Sequence, residues 1–113
     1  MRNLNSILQQ DYQNYHIIYI DDASQDGTAE KVRDYIKKYN VSERRLNFIE
    51  NKVNKKALPN IDYAARRLCQ SGEIMAIIDG DDYLIGTQVF KLINARYQQQ
   101  GLLALYTNHL RVH

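Results

Sequence analysis

A mostly parallel α/β sheet with flanking helices is the fold class this chain predicts, and two patterns carry the prediction. Short runs of strand-like composition alternate along the chain with segments whose apolar residues recur at helical spacing. Two aspartate clusters, Asp21-Asp22 and Asp79-Gly80-Asp81-Asp82, each follow directly on a strand-like apolar run.

The elements follow in order. Leu4, Ile7 and Leu8 have helical spacing and predict a short amphipathic helix over about 3–10. His16-Ile17-Ile18-Tyr19-Ile20 predicts a strand closed by Asp21 and Asp22, after which Asp26-Gly27-Thr28 supplies turn and cap chemistry. Val32, Tyr35, Ile36 and Tyr39 form one face of a helix over about 28–39, and Leu46 to Glu50 predicts the next strand. A polar, basic loop, Asn51 to Lys56, leads to a helix whose first turn can hold Pro59, because the missing N–H costs nothing there. Ile61, Ala64, Ala65 and Leu68 give that helix its buried face, with an end expected near Gly72.

Ile74-Met75-Ala76-Ile77-Ile78, framed by Gly72 and Gly80, reads as a strand over 74–79 buried on both faces. Val89, Phe90, Ile93 and Tyr97 mark a helix over about 87–100 stopped by Gly101, and Leu102 to Thr107 is the last expected strand. Alternation of this kind predicts a parallel sheet, whose ligands bind outside the carboxyl ends of the strands. Both acid clusters are therefore expected on one rim.

A chain of 113 residues with 44% hydrophobic and 25% charged residues supports one ordinary globular domain, short for a complete α/β enzyme. The formal charge of +2 is spread along the chain, with no basic stripe of the kind nucleic-acid binding needs. Cys69 is the lone cysteine, which excludes an internal disulfide and a cysteine-rich zinc site; it is expected as a small core residue. No run approaches the roughly 20 apolar residues of a membrane span. The polar amino terminus has no signal-peptide core, so the expected location is cytoplasmic, with membrane association open for a longer protein.

Chemistry concentrates in the acids. Carboxylates packed as tightly as Asp79, Asp81 and Asp82 repel one another unless a cation or hydrogen bonds hold them. Oxygen donors suit hard ions such as Mg²⁺, often shared with a substrate's phosphates. The bland alternative is a solvated acidic turn bent at Gly80. Asp22, Ser24, Asp26 and Gly27 open like a calcium loop, but its closing acid would fall at Arg33, a cation. A receiver-like phosphoacceptor module could use Asp21, Asp22, Asp79 and Thr107, but the lysine expected after a final strand is absent. Asp79 and Asp81 have the spacing of an aspartate phosphatase, without its threonine-containing continuation. The histidines receive no role, and the tyrosines are expected as core-edge residues.

The stretch from Gln10 through Tyr12, Asn14, Ile17, Ile18, Asp21, Asp22, Ser24 and Asp26 to Thr28 resembles the pattern Q-x-Y-x-N-x-E-I-I-V-V-D-D-G-S-x-D-G-T. That pattern is typical of the inverting family-2 glycosyltransferases of the GT-A fold. Gly72-Glu73-Ile74 through Asp82 is similar to the strand that carries the family's D-x-D signature. The resemblance implies an incomplete GT-A/Rossmann-like domain over 1–113, binding a nucleotide-diphosphate sugar, a UDP-sugar above all, for transfer to an unknown acceptor. It implies that Asp22 accepts from the nucleotide base and that Asp21 supports that turn. Asp81 would lie at the ribose and metal, Asp81 or Asp82 would ligate Mn²⁺ or Mg²⁺, and Asp79 would shape the motif or act through water. Lys55, Lys56, Arg66 and Arg67 could add charge near the phosphates, although solvated positions are the plainer reading.

Three departures accompany the resemblance. Lys56-Ala57-Leu58-Pro59-Asn60 replaces a stretch that in the family contains Gly and Arg. The family's opening strand, which lies between those corresponding to 16–21 and 74–79, has no counterpart. The general base is expected beyond residue 113. The chain is therefore expected to be a fragment that transfers no sugar alone. Its strands at 16–21 and 74–79 should pair abnormally, keep open edges or recruit another chain.

Overall fold

The computed structural model describes residues 1–70 and 72–98. Its described residues divide into two compact units, one of residues 14–79 with Met1, the other of residues 2–13 with residues 80–98. The architecture is the mixed helix and parallel-strand arrangement of an incomplete GT-A/Rossmann-like α/β fold.

The first unit is built on a strand–helix–strand crossover. β1 (Ile17–Asp22) pairs in parallel with β2 (Leu46–Asn51), in a register that sets Ile17 against Leu46 and Asp22 against Asn51. Parallel neighbours require a long connection, and α2 (Thr28–Lys38) supplies it. Gly27 caps the start of α2 at φ 82°, a left-handed conformation open to glycine. At the other end Asn40 takes φ 51° and the Val41 N–H donates to the Ile36 carbonyl at 3.0 Å, closing a Schellman turn with asparagine in glycine's usual place.

Ile17, Val32, Leu46 and Ala64 are the buried apolar residues of this unit, Val32 with no exposed surface. The predicted face of α2 is buried at Val32, half-buried at Tyr35 and Ile36, and exposed at Tyr39. Tyr19 and Phe48 are register partners and meet edge-to-face at 5.8 Å. The Arg45 guanidinium lies 4.1 Å from the centroid of the Tyr15 ring and donates to the Tyr15 carbonyl. An ion pair joins Arg33 to Glu50.

After β2 comes α3 (Ala57–Tyr63), with Pro59 in its first turn as expected. Its last turn widens into a π-helical turn, Ala64–Leu68, closed by the Cys69 N–H on the Ala64 carbonyl at 3.0 Å. Cys69 then turns extended, so the helix stops short of Gly72. Ala64 is buried and Ile61 and Leu68 are half-buried, whereas Ala65 is exposed, against expectation. Cys69 is half-buried rather than a core residue.

The largest correction concerns residues 74–79, which form no strand. Ile74, Met75 and Ile77 stand 43%, 38% and 60% exposed. A run becomes an interior parallel strand only where neighbours supply ladder partners and cover for both faces. Among the described residues the sheet contains β1 and β2 alone, and neither pairs with 74–79. In place of the expected abnormally paired or open-edged strand, the described residues show an apolar segment outside the two-stranded sheet. The strand expected over 102–107 lies outside the described residues.

The second unit packs α1 (Arg2–Leu8) with the extended chain after Gly80 and with α4 (Val89–Tyr97). Leu4 is fully buried and Ile7 nearly so, each burial stabilising by about 1.5–3 kcal/mol. Tyr12 meets Phe90 edge-to-face at 6.5 Å, and Lys91 pairs with Asp11 at 2.7 Å. Arg2 sits 5.0 Å over the Tyr83 ring.

Candidate functional site

Asp21 and Asp22 are the last two residues of β1, where strand alternation sends their side chains to opposite faces. Asp21 is buried at 6% exposure, and its carboxylate accepts from the Ser24 hydroxyl and backbone N–H, closing the turn after the strand. Ala23 between them is held at φ 61°, in the left-handed region, at the position where the quoted family pattern has glycine.

Asp22 reaches across to the loop after β2. Its Oδ1 accepts from the Lys55 N–H at 2.8 Å and the Asn51 side-chain amide at 3.1 Å, and its Oδ2 accepts from the Lys56 N–H at 2.9 Å. Asn51 donates as well to the Asn60 side chain at 2.9 Å, tying the loop to α3. The Lys55 N–H foremost, helped by Asn51, Asn60 and the Lys56 N–H, holds the Asp22 carboxyl below the ordinary aspartate range despite some desolvation. Asp22 thus engages the backbone of the two lysines, while their side chains remain exposed. Lys56 has φ 70° and ψ 167°, a region that is essentially glycine's. At Lys56 this stretch therefore takes a glycine-like backbone bend without a glycine.

Sequence reasoning passed over Asn51. Its register opposite Asp22 was the available signal, since in a parallel pair the two strand ends stand side by side.

Asp79, Asp81 and Asp82 occupy a turn around Gly80 and are all exposed. One carboxylate oxygen from each lies within 4.8 Å of the others, a proximity set by their adjacency along the chain. The donor chemistry fits a hard divalent cation: three exposed carboxylates, no sulfur or imidazole, and mutual repulsion that a cation relieves. The Asp82 backbone carbonyl accepts from the Asn3 side-chain amide at 2.7 Å, so helix α1 holds this end of the motif.

The structure brings Asp21 and Asp22 together at one strand end, and Asp79, Asp81 and Asp82 together in one turn. It does not join the two groups as ends of neighbouring parallel strands, because 74–79 is not in the sheet. Of the basic residues singled out, Arg66 pairs with Asp62 at 2.6 Å, one helical turn away on an exposed face. No helix among the described residues is long and apolar enough to cross a membrane.

Comparison with known proteins agrees with the two acid-bearing blocks. The family model described as glycosyl transferase family 2 matches residues 2–104. A curated protein of Bacillus subtilis (strain 168) bearing the name "Putative glycosyltransferase EpsE" is 35% identical over 80 residues. That alignment covers 71% of this chain and 27% of the relative, so the chain spans about a quarter of that protein's length. No solved structure matches. The family match spans both acid clusters and sets aside the receiver-like and phosphatase readings: the chain belongs to glycosyl transferase family 2.

Proposed function

We propose that this chain forms the donor side of a glycosyltransferase, binding a nucleotide-diphosphate sugar, most simply a UDP-sugar, with a divalent ion at its D-x-D motif. The observation that carries the proposal is the convergence of Asp79, Asp81 and Asp82 within 4.8 Å, in a chain whose family match covers residues 2–104. Asp81 and Asp82 would hold Mg²⁺ or Mn²⁺, with Asp79 shaping the turn or acting through water. When bound, the ion neutralises the diphosphate and stabilises it as the leaving group.

The chain's own residues do the rest. Asp21, bonded to Ser24, fixes the turn that follows β1. Asp22 anchors the loop over 51–56 through three hydrogen bonds. A carboxylate has roughly four lone-pair sites, so Asp22 keeps about one for an N–H of the nucleotide base. Asp81 binds the ribose side of the donor. A cytoplasmic setting belongs to the same proposal.

Titration calorimetry with UDP, with and without Mn²⁺, tests the proposal. Mn²⁺-dependent binding is expected in the wild type, lost in Asp82→Ala and weakened in Asp22→Ala. Equal UDP binding with and without Mn²⁺, or an Asp82→Ala variant that binds like wild type, would refute it.

A further inference from the structure

The geometry points to Asn3, with Ser6 and Gln10 behind it, as a positioning residue that sets the acidic turn for its divalent ion. The inference rests on the metal reading above and adds the device that holds the ligand-bearing chain in place.

At 100° per residue, positions 3, 6 and 10 fall on one narrow face of α1 and its continuation. All three side chains are buried, at 7%, 9% and 4% exposure, although each is polar. Buried polar groups need partners, and these find them on the backbone of the chain that leaves the acid motif. The Asn3 amide donates to the Asp82 carbonyl at 2.7 Å. The Ser6 hydroxyl accepts from the Leu84 N–H at 2.9 Å and donates to the Asn3 carbonyl at 2.7 Å. The Gln10 amide donates to the Gly86 carbonyl at 2.7 Å, and its oxygen accepts from the Phe90 N–H at 3.1 Å. The Asp11 N–H adds a bond to the Thr87 carbonyl at 2.8 Å.

The contacts at 82, 84 and 86 repeat every second residue, as the bonds of an extended chain do along one edge. A helix face thereby serves as the ladder partner that this extended segment finds in no strand among the described residues. The first rung falls on Asp82 itself. Its carbonyl is fixed while its carboxylate stays exposed, so the peptide plane that follows Asp82 and borders its side chain is set from α1, one residue from Asp81. Ligands held before the ion arrives lose less freedom on binding, which is why partners behind a ligand tune affinity without touching the metal.

The test uses the 113-residue chain and Mn²⁺ alone, reading affinity from free-ion paramagnetic resonance and location from broadening of amide signals near Asp81 to Tyr83. Asn3→Leu, which keeps the side chain's size but removes the donor, is expected to weaken Mn²⁺ binding by about tenfold or more. Ser6→Ala, which strips the second rung, is expected to weaken it less. Ile7→Ala opens the core on the same helix and touches none of these bonds; compared at equal fraction folded, it is expected to leave Mn²⁺ affinity unchanged. Wild-type affinity in folded Asn3→Leu and Ser6→Ala would overturn the inference and leave the metal reading standing. Equal losses in Ile7→Ala and Asn3→Leu would overturn it too, by showing that helix stability alone is at work. Failure of the wild type to bind Mn²⁺ would overturn both.

Discussion

Replacing Lys56 by glycine should make this protein more stable, although it deletes a side chain and adds nothing. Lys56 is held at φ 70° and ψ 167°, where a Cβ is crowded by its own backbone, and a residue in such a region costs about 1–3 kcal/mol. It stays there because its N–H is claimed at 2.9 Å by both the Asp22 carboxylate and the Asn54 side chain, and because α3 begins at the next residue. Glycine removes the crowding and keeps the N–H. It also widens the unfolded ensemble, a loss of about 0.5–1 kcal/mol. The net gain is about 1 kcal/mol, near a fivefold rise in the folded-to-unfolded ratio. Urea unfolding should show it as a midpoint shift of about 0.5 M at unchanged slope. Lys56→Ala, which removes the same charge but keeps the Cβ, should leave the midpoint in place. A stabilised alanine variant would show that charge among Lys52, Lys55 and Lys56 is responsible. A destabilised glycine variant would show that the lysine stem packs more than its exposure suggests.

Two further outcomes test other parts of the structure. The Asp22 carboxyl is held below its unfolded value by the Lys55 N–H and its neighbours, so its contribution to stability is present above about pH 4 and fades as pH falls through the lower folded value. Asp22→Asn should therefore unfold with a shallower acid limb than wild type, and parallel limbs in the two proteins would count against the latch. The apolar run over 74–78 exposes Ile74, Met75 and Ile77 with no ladder partner among the described residues, the condition in which strand-prone segments associate. Ile77→Lys should reduce concentration-dependent light scattering while leaving far-ultraviolet dichroism intact, and unchanged scattering would place self-association elsewhere.

Helices α1, α2 and α4 and strands β1 and β2 were legible because period and punctuation are local properties. Val32, Tyr35 and Ile36 lie three or four residues apart, and Asp26-Gly27-Thr28 closes one element and opens the next. The two acid clusters were legible for the same reason, since adjacency alone brings Asp79, Asp81 and Asp82 together. The run over 74–78 misled because its composition states a preference for strand, while hydrogen-bonding neighbours decide whether one forms. Asn3, Ser6 and Gln10 were hidden differently. They are polar, and the helix was read from Leu4, Ile7 and Leu8 alone; polar residues mixed with Leu4 and Ile7 on one side were the signal to follow.

The chain's order of residues thus settles its local elements, the acids it carries and, through its two motif blocks, the family to which it belongs. Packing settles what those residues do to one another. Asp22 meets the Lys55 and Lys56 amides 33 and 34 positions away, and Asn3 meets Asp82 across 79 positions. No periodicity encodes such bonds. They arise because buried or crowded polar groups must be satisfied, and the partner within reach is whichever backbone the fold brings there.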